Sequence, residues 1–518
     1  FENLTFGEAF LGNKHTLSGR YATKNWMIWS NSSVMKSDSK LSNSSFARSE
    51  NRSSYKLGKN WIGATVNLED NSEKLKTTNT FSALSQRFIE YGAFVGRGDS
   101  TKVFVELGFL QRQNDSLQNN RIERVNHSNS YYLKSQLIKT EKSNLSVFLN
   151  YRTLKYEDSN LKDEPSLNSR ILYSDRFFGQ LLQTTTAYET SSGTIAQQEF
   201  TYLQVEPGQG VYMWNDYNGN GIQELQEFEI APYPDLAIYV RVFLPNQVFV
   251  RTHQNKFSQS VNINFNQWQN EKGFKKFASH FYNQTSFLID RKIRRNGSNF
   301  DLNPFSKEEE ALIGLNTNFR SSLFFNRGKQ HHSTTYSFLF NESQNLLSVG
   351  SVSAKNLSHQ LQYQHLVDKS WLFNFSGSKT LTNSTSENYP TRNFEIDSYQ
   401  IEPKIGYLFS KNASWDIFYE FQQKENKIGA FEILKQTRLG TSFTFNSEKG
   451  FSMNGEFSMY NNLYDGNALS AVGFQMLEGL QPGKNQTWRL LLQKNLTQFL
   501  DLNINYQGRN SETSKTIH

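Results

Sequence analysis

Hydrophobic and polar residues alternate along almost the whole chain. Between positions 399 and 409, alternate apolar positions carry Tyr399, Ile401, Ile405, Tyr407 and Phe409, and the positions between them include Gln400, Glu402, Lys404 and Gly406. The same period of two recurs at 415–422, 451–459 and 500–506. Successive side chains of a β-strand point to opposite faces, so this pattern predicts strands with one apolar and one polar face.

The predicted strands are long, and the connections between them alternate in length. Strands in soluble sandwiches are usually about five or six residues long, and many of the alternating segments here exceed that length. Tight turns such as 367–370 and 411–414 alternate with wider links near 383–393 and 424–432. Short turns at one end and longer loops at the other are typical of an outer-membrane barrel.

We therefore predict an all-β fold, a transmembrane antiparallel β-barrel of about 22 strands with long extracellular loops. A closed barrel is favoured because an unpaired backbone group at a sheet edge is not tolerated in hydrocarbon. One face of each strand would contact lipid and the other a polar lumen. The alternative is a soluble all-β protein or a propeller whose polar face contacts water.

Three segments are expected along the chain. Residues 1–205 form the first part of the barrel, 206–247 an extracellular insertion with a calcium loop, and 248–518 the second part of the barrel. The tight turn predicted at 270–273 defines the orientation. If that turn is periplasmic, the strand before it runs inward and the insertion lies outside.

Composition agrees with a strand-rich chain and excludes several other classes. Aromatic residues make up 14% of the chain, only 9 residues are proline and the mean hydropathy is −0.65. No run of about eighteen apolar residues is present, which excludes a membrane-spanning helix. The chain has no cysteine, so disulfides and thiolate metal sites are absent. The net charge of +7 is thinly spread, and we expect no nucleic-acid partner.

The insertion contains a pattern typical of an EF-hand calcium loop. Oxygen ligands are supplied at loop positions 1, 3, 5, 7, 9 and 12 by Asp216, Asn218, Asn220, the carbonyl of Ile222, Glu224 and Glu227. Gly221, at position 6, permits the sharp turn that lets the two ends converge. The alternative interpretation is an Asn-Gly-rich surface turn with solvated acids. We predict one structural calcium site.

The flanks of the loop differ from those of a paired EF-hand. The stretch 211–214 predicts a strand, so only the exit side of the loop could be helical. A solitary loop of this kind is expected to bind calcium in the extracellular range, about 10⁻⁴ to 10⁻³ M.

Three pieces of the chain resemble large outer-membrane barrel proteins of Bacteroidota. They are the end of the chain at 501–518, the stretch QMLEGLQPGKN at 475–485, and the calcium-like loop with the following IYVRVF at 238–243. The resemblance implies an outer-membrane location and roles in surface display, secretion or envelope assembly. It also implies one further strand after His518, so we expect the given sequence to be truncated there, with an N-terminal portion missing as well.

The leading functional hypothesis is a non-enzymatic scaffold or conduit in an envelope complex for surface-protein export or outer-membrane assembly. The alternative is a porin or a TonB-dependent-type solute transporter. An outer-membrane hydrolase ranks lower, because no acid, base and nucleophile set can be assembled. The stretch 98–100 resembles only the start of a lipase signature. Expected partners are outer-membrane lipid, lipopolysaccharide and other proteins of a membrane complex.

The histidines show no metal-ligand spacing in the sequence. The pair His331 and His332 and the strand residues His359 and His365 lack the HExxH arrangement. We therefore predict that they are lumen or turn residues.

Overall fold

The computed structural model describes residues 2–512 except 7–9, 100, 159, 296, 298, 307–310, 330, 348–349, 448–449 and 498. The fold is nearly all-β, and its strands belong to one large antiparallel sheet. This confirms the predicted fold class at the level of secondary structure.

The first part of the sheet consists of eleven strands in chain order. They are β1 (Glu2–Phe6), β2 (Phe10–Ala22), β3 (Trp26–Ser39), β4 (Ser42–Leu57), β5 (Asn60–Leu75), β6 (Gln86–Gly98), β7 (Phe104–Gln118), β8 (Arg121–Lys139), β9 (Asn144–Tyr156), β10 (Glu164–Phe177) and β11 (Leu182–Gln204).

The second part contains fourteen strands and two short helices. The strands are β12 (Tyr212–Trp214), β13 (Phe228–Ile230), β14 (Tyr239–Asn264), β15 (Phe281–Arg294), β16 (Leu312–Phe325), β17 (His332–Leu347), β18 (Gly350–Val367), β19 (Trp371–Ser386), β20 (Phe394–Ser410), β21 (Ala413–Asn426), β22 (Ile433–Asn446), β23 (Phe451–Asp465), β24 (Gly483–Thr497) and β25 (Leu500–Ser511). The helices are α1 (Phe274–Ala278) and α2 (Ala471–Leu477). In the part of the chain that the structure describes, neither these helices nor any other could cross a membrane by length and hydropathy.

The sheet is a continuous meander. Each long strand pairs antiparallel with the next one along the chain, and β11 pairs with β14 across the link that contains β12 and β13. Of the 25 strands, β1, β12 and β13 have five residues or fewer, which leaves 22 long strands. No pairing joins β1 to β25 among the described residues. The strand number of a closed barrel therefore stays a prediction.

The two faces of the sheet differ sharply in exposure and polarity. On β21 the apolar face carries Trp415, Ile417, Tyr419 and Phe421, whose side chains are 44%, 46%, 45% and 37% exposed. On the opposite face of the same strand, Phe418 is 5% and Glu420 is 6% exposed. We call these the apolar face and the polar face. Large apolar side chains stay accessible while carboxylates are buried, the reverse of the usual arrangement in a soluble protein.

The two ends of the sheet also differ. One end has short connections such as 58–59, 368–370 and 411–412, and the other has the long links 205–238 and 466–482. The connection after β14 departs from the tight turn predicted at 270–273. It spans 265–280 and contains α1, because Gly273 adopts a left-handed backbone with φ of 62° and redirects the chain into that helix.

The link between β11 and β14 is shorter than the predicted insertion 206–247, because β14 begins at Tyr239. The two strands stay paired past an irregularity, where the register shifts between the pairs Gln198–Gln247 and Phe200–Phe243. Pro245 falls within this bulge, and a bulge is one of the few places where a strand tolerates a residue without an N–H group. In the structure, the insertion is therefore residues 205–238.

A segment after β15 covers part of the apolar face. Residues 299–306 fold back along the sheet, and the ring of Phe305 lies 5.6 Å from that of Phe257 and 6.1 Å from that of Phe287. Both partner rings belong to the apolar face, since strand pairing aligns them with its exposed residues on β16 to β20.

Polar side chains lie buried beneath this covering segment. Arg291 is 1% exposed and donates a hydrogen bond of 2.6 Å to the Asp301 carboxylate. Asn255 is fully buried and donates to the backbone carbonyl of Asp301. The segment thus supplies acceptors to polar groups that would otherwise interrupt the apolar face.

Ion pairs that cross several strands characterise the polar face. Glu106 on β7 accepts two hydrogen bonds of 2.9 Å from Arg52 on β4, one of 3.0 Å from Nε1 of Trp61 and one of 3.2 Å from the hydroxyl of Tyr132. One buried carboxylate therefore connects four strands.

We predict that Glu106→Ala destabilises the fold by about 1–3 kcal/mol, because three donors lose a buried acceptor. Glu50→Ala removes the partner of Arg48 in an exposed ion pair, so it should cost at most about 1 kcal/mol. Denaturant unfolding followed by tryptophan fluorescence measures both values. Equal effects of the two substitutions would contradict the role assigned to Glu106.

Candidate functional site

The insertion contains a small hairpin on which the calcium-like loop is mounted. Strands β12 and β13 pair at three positions, from Tyr212 with Ile230 to Trp214 with Phe228. Phe228 is 5% exposed and stacks on Tyr202 of β11 with ring centroids 4.1 Å apart. The predicted strand at 211–214 is confirmed as β12, and a single 3-10 turn at Leu225–Glu227 occupies the exit side.

Asp216 holds the first half of the loop. Its Oδ1 accepts hydrogen bonds from the backbone N–H groups of Gly219 (2.7 Å) and Asn220 (3.1 Å), and its Oδ2 accepts one from Gly221 (2.8 Å). Gly219 and Gly221 have φ of 73° and 69°, values at which a side chain would be strained. The two glycines therefore let the chain wrap around the Asp216 carboxylate.

The middle ligand positions lie close to one another. The amides of Asn218 and Asn220 donate to the two carboxylate oxygens of Glu224 over 3.0 and 3.4 Å. Asn220 Oδ1 accepts a hydrogen bond of 2.6 Å from the N–H of Ile222. The structure thus brings the sequence-predicted residues of positions 3, 5 and 9 together.

Glu227 closes the loop from the buried side. Its side chain is 1% exposed, and its Oε2 accepts a hydrogen bond of 2.8 Å from Nε1 of Trp214. Its Oε1 is buried and has no hydrogen-bond partner among the described residues. A buried carboxylate oxygen without a partner is unfavourable unless a cation or a donor satisfies it.

The residues present fit a calcium ion by their chemistry. All six predicted positions offer hard oxygen atoms, and the loop is already closed around Asp216. The carboxylates of Asp216, Glu224 and Glu227 do not form a set with oxygens all within 4.8 Å of one another in the described chain. An ion would therefore have to draw the loop inward. Calcium binding stays a prediction.

The insertion is docked onto parts of the chain that are distant in sequence. Arg392, in the link before β20, donates to the carbonyl of Gln226 (2.7 Å) and to Glu229 (2.6 Å). Arg509, on the polar face of β25, forms two hydrogen bonds of 2.9 and 3.1 Å with the carboxylate of Asp235. The insertion leaves the sheet at β11 and β14 and reaches β25, so it extends across the polar side of the sheet.

Helix α2 supplies the second surface on which the insertion packs. Met476 and Leu477 are buried together with Ile396 and Leu434 in an apolar cluster at the long-link end of the sheet. Between α2 and the insertion lies a cavity of ≈ 370 Å³. Its lining includes Asn215, Asp216, Leu236, Phe474 and Arg509.

Burial shifts the pKa values of an acid and a phenol in the docked insertion. Burial raises the pKa of Glu229, and the adjacent Arg392 guanidinium opposes that change. Burial also raises the pKa of Tyr217, whose hydroxyl lies 3.2 Å from Glu229. Tyr217 is therefore neutral at neutral pH, and its hydroxyl donates a hydrogen bond to the Glu229 carboxylate.

Sequence reasoning missed the residues that hold the insertion in place. Arg392 and Arg509 carry no local motif, and only the curvature of the sheet brings them to Glu229 and Asp235. It also missed a histidine cluster of His331, His332 and His365, which strand pairing assembles.

The lipase-like stretch 98–100 lies at the turn between β6 and β7. Asp99 lies at the end of β6 and accepts hydrogen bonds from the N–H (2.9 Å) and the hydroxyl (2.7 Å) of Thr101. Those bonds are typical of a local turn. Ser100 lies outside the described residues.

Comparison with known proteins gives a likeness of fold only. No family model matches the chain, and no curated protein does. Among solved structures, the chain is similar to the ferric-catecholate import receptor Fiu of E. coli K12 (9% identity, 96% of this chain and 76% of that chain, TM-score 0.28). It is also similar to the copper transporter OprC, with 10% identity over 97% of this chain and 77% of that chain and a TM-score of 0.31. A third similar structure is the FrpB iron transporter of Neisseria meningitidis, with 9% identity over 94% of this chain and 77% of that chain and a TM-score of 0.31. These neighbours are outer-membrane β-barrel proteins. TM-scores of this size assign no function.

We predict that Arg509→Gln releases the insertion. The Arg509 and Asp235 side chains are 16% and 46% exposed, so their ion pair contributes about 1 kcal/mol, or about five-fold in the population of released insertion. Residues 205–238 contain glutamates but no lysine or arginine. A glutamate-specific protease should therefore cut them about five-fold faster.

The matched control is Arg320→Gln, which removes the same charge from the polar face of β16, in the half of that strand nearer the short turns. Its cleavage rate should equal that of the native chain. A rate increase in both variants would mean that loss of charge, and not loss of the Asp235 contact, opens the insertion.

Proposed function

We propose that this chain is an outer-membrane β-barrel of a Bacteroidota cell envelope that admits a polar solute, with the insertion 205–238 as a lid across the lumen. This is the transporter alternative of the sequence analysis. The observation that carries the proposal is the reach of the insertion from β11 and β14 to Arg509 on the polar face of β25.

The exposure of the apolar face supports a membrane location. The apolar face carries half-exposed Trp415, Ile417 and Tyr419, and within the described chain only residues 299–306 are seen to cover part of it. In water such a face would drive aggregation. In a bilayer, acyl chains contact the same apolar face. Strand pairing supplies the hydrogen bonds of the backbone.

The polar face supports a hydrophilic passage. Arg438 pairs with Glu420 and Glu456 over 3.2 and 2.6 Å, and Glu106 connects four strands. Such paired charges leave a surface that water can wet and that small polar solutes can follow. We therefore expect a polar solute and not a lipid as cargo.

The docked insertion makes the proposed passage a gated one. It is fastened at two separate sites, Arg392 and Arg509, and packs on α2. In this arrangement the insertion lies across the polar side and would obstruct an open pore. Release of one or both ion pairs is the step that would admit solute.

The insertion is proposed to lie outside the cell. It shares its end of the sheet with the other long links, among them 387–393 and 466–482, opposite the short turns at 58–59 and 411–412. Outer-membrane barrels keep their short turns in the periplasm. Outer-membrane lipid and lipopolysaccharide would then contact the apolar face.

Calcium is the proposed cofactor of the lid. Bound by Asp216, Asn218, Asn220, the Ile222 carbonyl, Glu224 and Glu227, it would satisfy the unpaired oxygen of Glu227 and stiffen the hairpin. The loop borders the cavity beside α2. Calcium would thereby stabilise the closed arrangement.

The role as a scaffold or conduit for surface-protein export or outer-membrane assembly stays a prediction. It requires protein partners, which affinity purification from native membranes would recover. Recovery of this chain alone would count against the complex and would leave the transporter proposal intact.

We predict low conductance for the native chain in a planar bilayer. A variant in which 206–237 is replaced by a short Gly-Ser linker should give larger and steadier channels, because the lid is gone. Heat-dependent migration on a gel verifies that both proteins are folded. Equal conductance of two folded proteins would refute the lid.

We predict that calcium binds to the loop with a dissociation constant of about 10⁻⁴ to 10⁻³ M, measured by calorimetry. Glu227→Gln keeps an acceptor for Trp214 but removes the charge, and should abolish the heat. Chelator should speed cleavage of the native insertion by a glutamate-specific protease.

The control for the calcium experiment is Glu206→Gln, which removes a carboxylate from the same insertion outside the loop. It should bind calcium like the native chain. Absence of heat in the native protein, with no effect of chelator on cleavage, would remove calcium from the proposal.

A further inference from the structure

Three histidines meet at the short-turn end of the sheet. His331 lies in the turn after β16, His332 begins β17, and His365 lies near the end of β18. One ring nitrogen of each lies within 4.8 Å of those of the other two. The ring centroids are 5.0 Å apart for His331 and His365, 5.7 Å for His331 and His332, and 6.3 Å for His332 and His365.

Strand register produces this cluster. The pairing of β17 with β18 places His332 directly opposite His365. The turn residue His331 is held beside them, because its carbonyl accepts a backbone hydrogen bond of 2.9 Å from Leu366. The backbone positions of the three residues are therefore set by the strand pairing of the sheet.

Neighbouring side chains orient the imidazoles. The amide of Asn326 lies 2.7 Å from Nε2 of His332 and 2.6 Å from Nδ1 of His280. A metal ion on Nδ1 of His332 requires Nε2–H to donate, so the Asn326 amide must present its oxygen to His332 and its nitrogen to His280. The hydroxyl of Tyr363 lies 3.3 Å from Nδ1 of His365. Partners of this kind fix ring orientation in metal sites and raise ligand basicity.

The chemistry of the cluster selects a class of metal. Three imidazoles without a carboxylate suit zinc, copper or nickel, whereas calcium and magnesium require oxygen ligands. Three protein ligands also leave one position of a tetrahedral zinc ion open to water. Strand pairing places His359 and His365 on the apolar face, so the prediction of lumen residues is wrong for these two. His331 is exposed in the turn and the rings of His332 and His365 are half-buried, so an ion can reach the cluster from the turn end of the sheet.

We propose that His331, His332 and His365 bind one divalent transition-metal ion, with zinc as the reference ion. The ion would tie the turn after β16 to the end of β18. It would thus clamp two consecutive hairpins at the short-turn end, opposite the insertion. This site shares no residue with the calcium loop or with the lid, so it stands independently of the proposed function.

The test is calorimetric titration of the untagged, folded chain with zinc chloride. One zinc ion per chain should bind, and His365→Ala should abolish measurable binding. The matched control is His359→Ala, a histidine on the same strand and face whose Nδ1 contacts the hydroxyl of Tyr336 instead (2.8 Å). It should bind zinc like the native chain.

A second variant distinguishes positioning from folding. Asn326→Gly keeps the left-handed backbone at φ of 55° but removes the amide beside His332. It should weaken zinc binding by about 10–100-fold, the usual effect of losing a partner that orients a ligand. The visible spectrum of the cobalt-loaded chain should show bands of a nitrogen-ligated ion that His331→Ala loses.

Zinc should also raise the thermal unfolding temperature of the native chain and of His359→Ala, and not that of His331→Ala or His365→Ala. His331 is an exposed turn residue, so its replacement leaves the sheet intact. Zinc binding with unchanged affinity in His331→Ala and His365→Ala, or no binding by the native chain, would overturn the proposal. In that case the histidines are only stacked aromatic residues of the turn.

Discussion

Hydrogen bonding between successive strands is the interaction on which the rest of the molecule depends. In the described part of the chain, each strand from β2 to β11 and from β14 to β25 pairs with the next, apart from a few register shifts, so most backbone groups are satisfied within one layer. A layer that needs no second sheet can leave its apolar side chains accessible. This explains why Ile417 and Tyr419 are exposed while Glu420, on the same strand, is buried. Closure of the ladder would remove its remaining edges.

The polar side of the sheet is where distant parts of the chain meet. Glu106 connects strands within β4 to β8 and Arg438 connects β21 to β23, whereas the insertion connects strands that lie far apart in the chain. It does so through side chains that are partly desolvated, such as Glu229, whose pKa is raised by burial against the opposing effect of Arg392. Contacts of this kind are strong enough to keep the closed arrangement of the insertion populated. The loss of one ion pair is nevertheless enough to release the insertion.

Sequence reasoning reached the elements whose signal is local. The alternation at 399–409 predicted the strand that becomes β20, and the polar-apolar order of 211–214 predicted β12. The start of β14 at Tyr239 was missed, since Pro245 reads as a loop residue until the bulge against β11 is known. The histidine cluster was missed because it depends on the register that places His332 opposite His365. The docking arginines were missed because curvature of the whole sheet brings them to the insertion.

The contact between Asp235 and Arg509 joins residues 274 positions apart. During synthesis and assembly, the hairpin at 212–230 can form as soon as its own strands exist, but its anchor is created only when β25 takes its place. The insertion is consequently fastened later than its hairpin folds. Until β25 is in place, the Asp235 contact does not exist, and the addition of this strand secures the far side of the insertion.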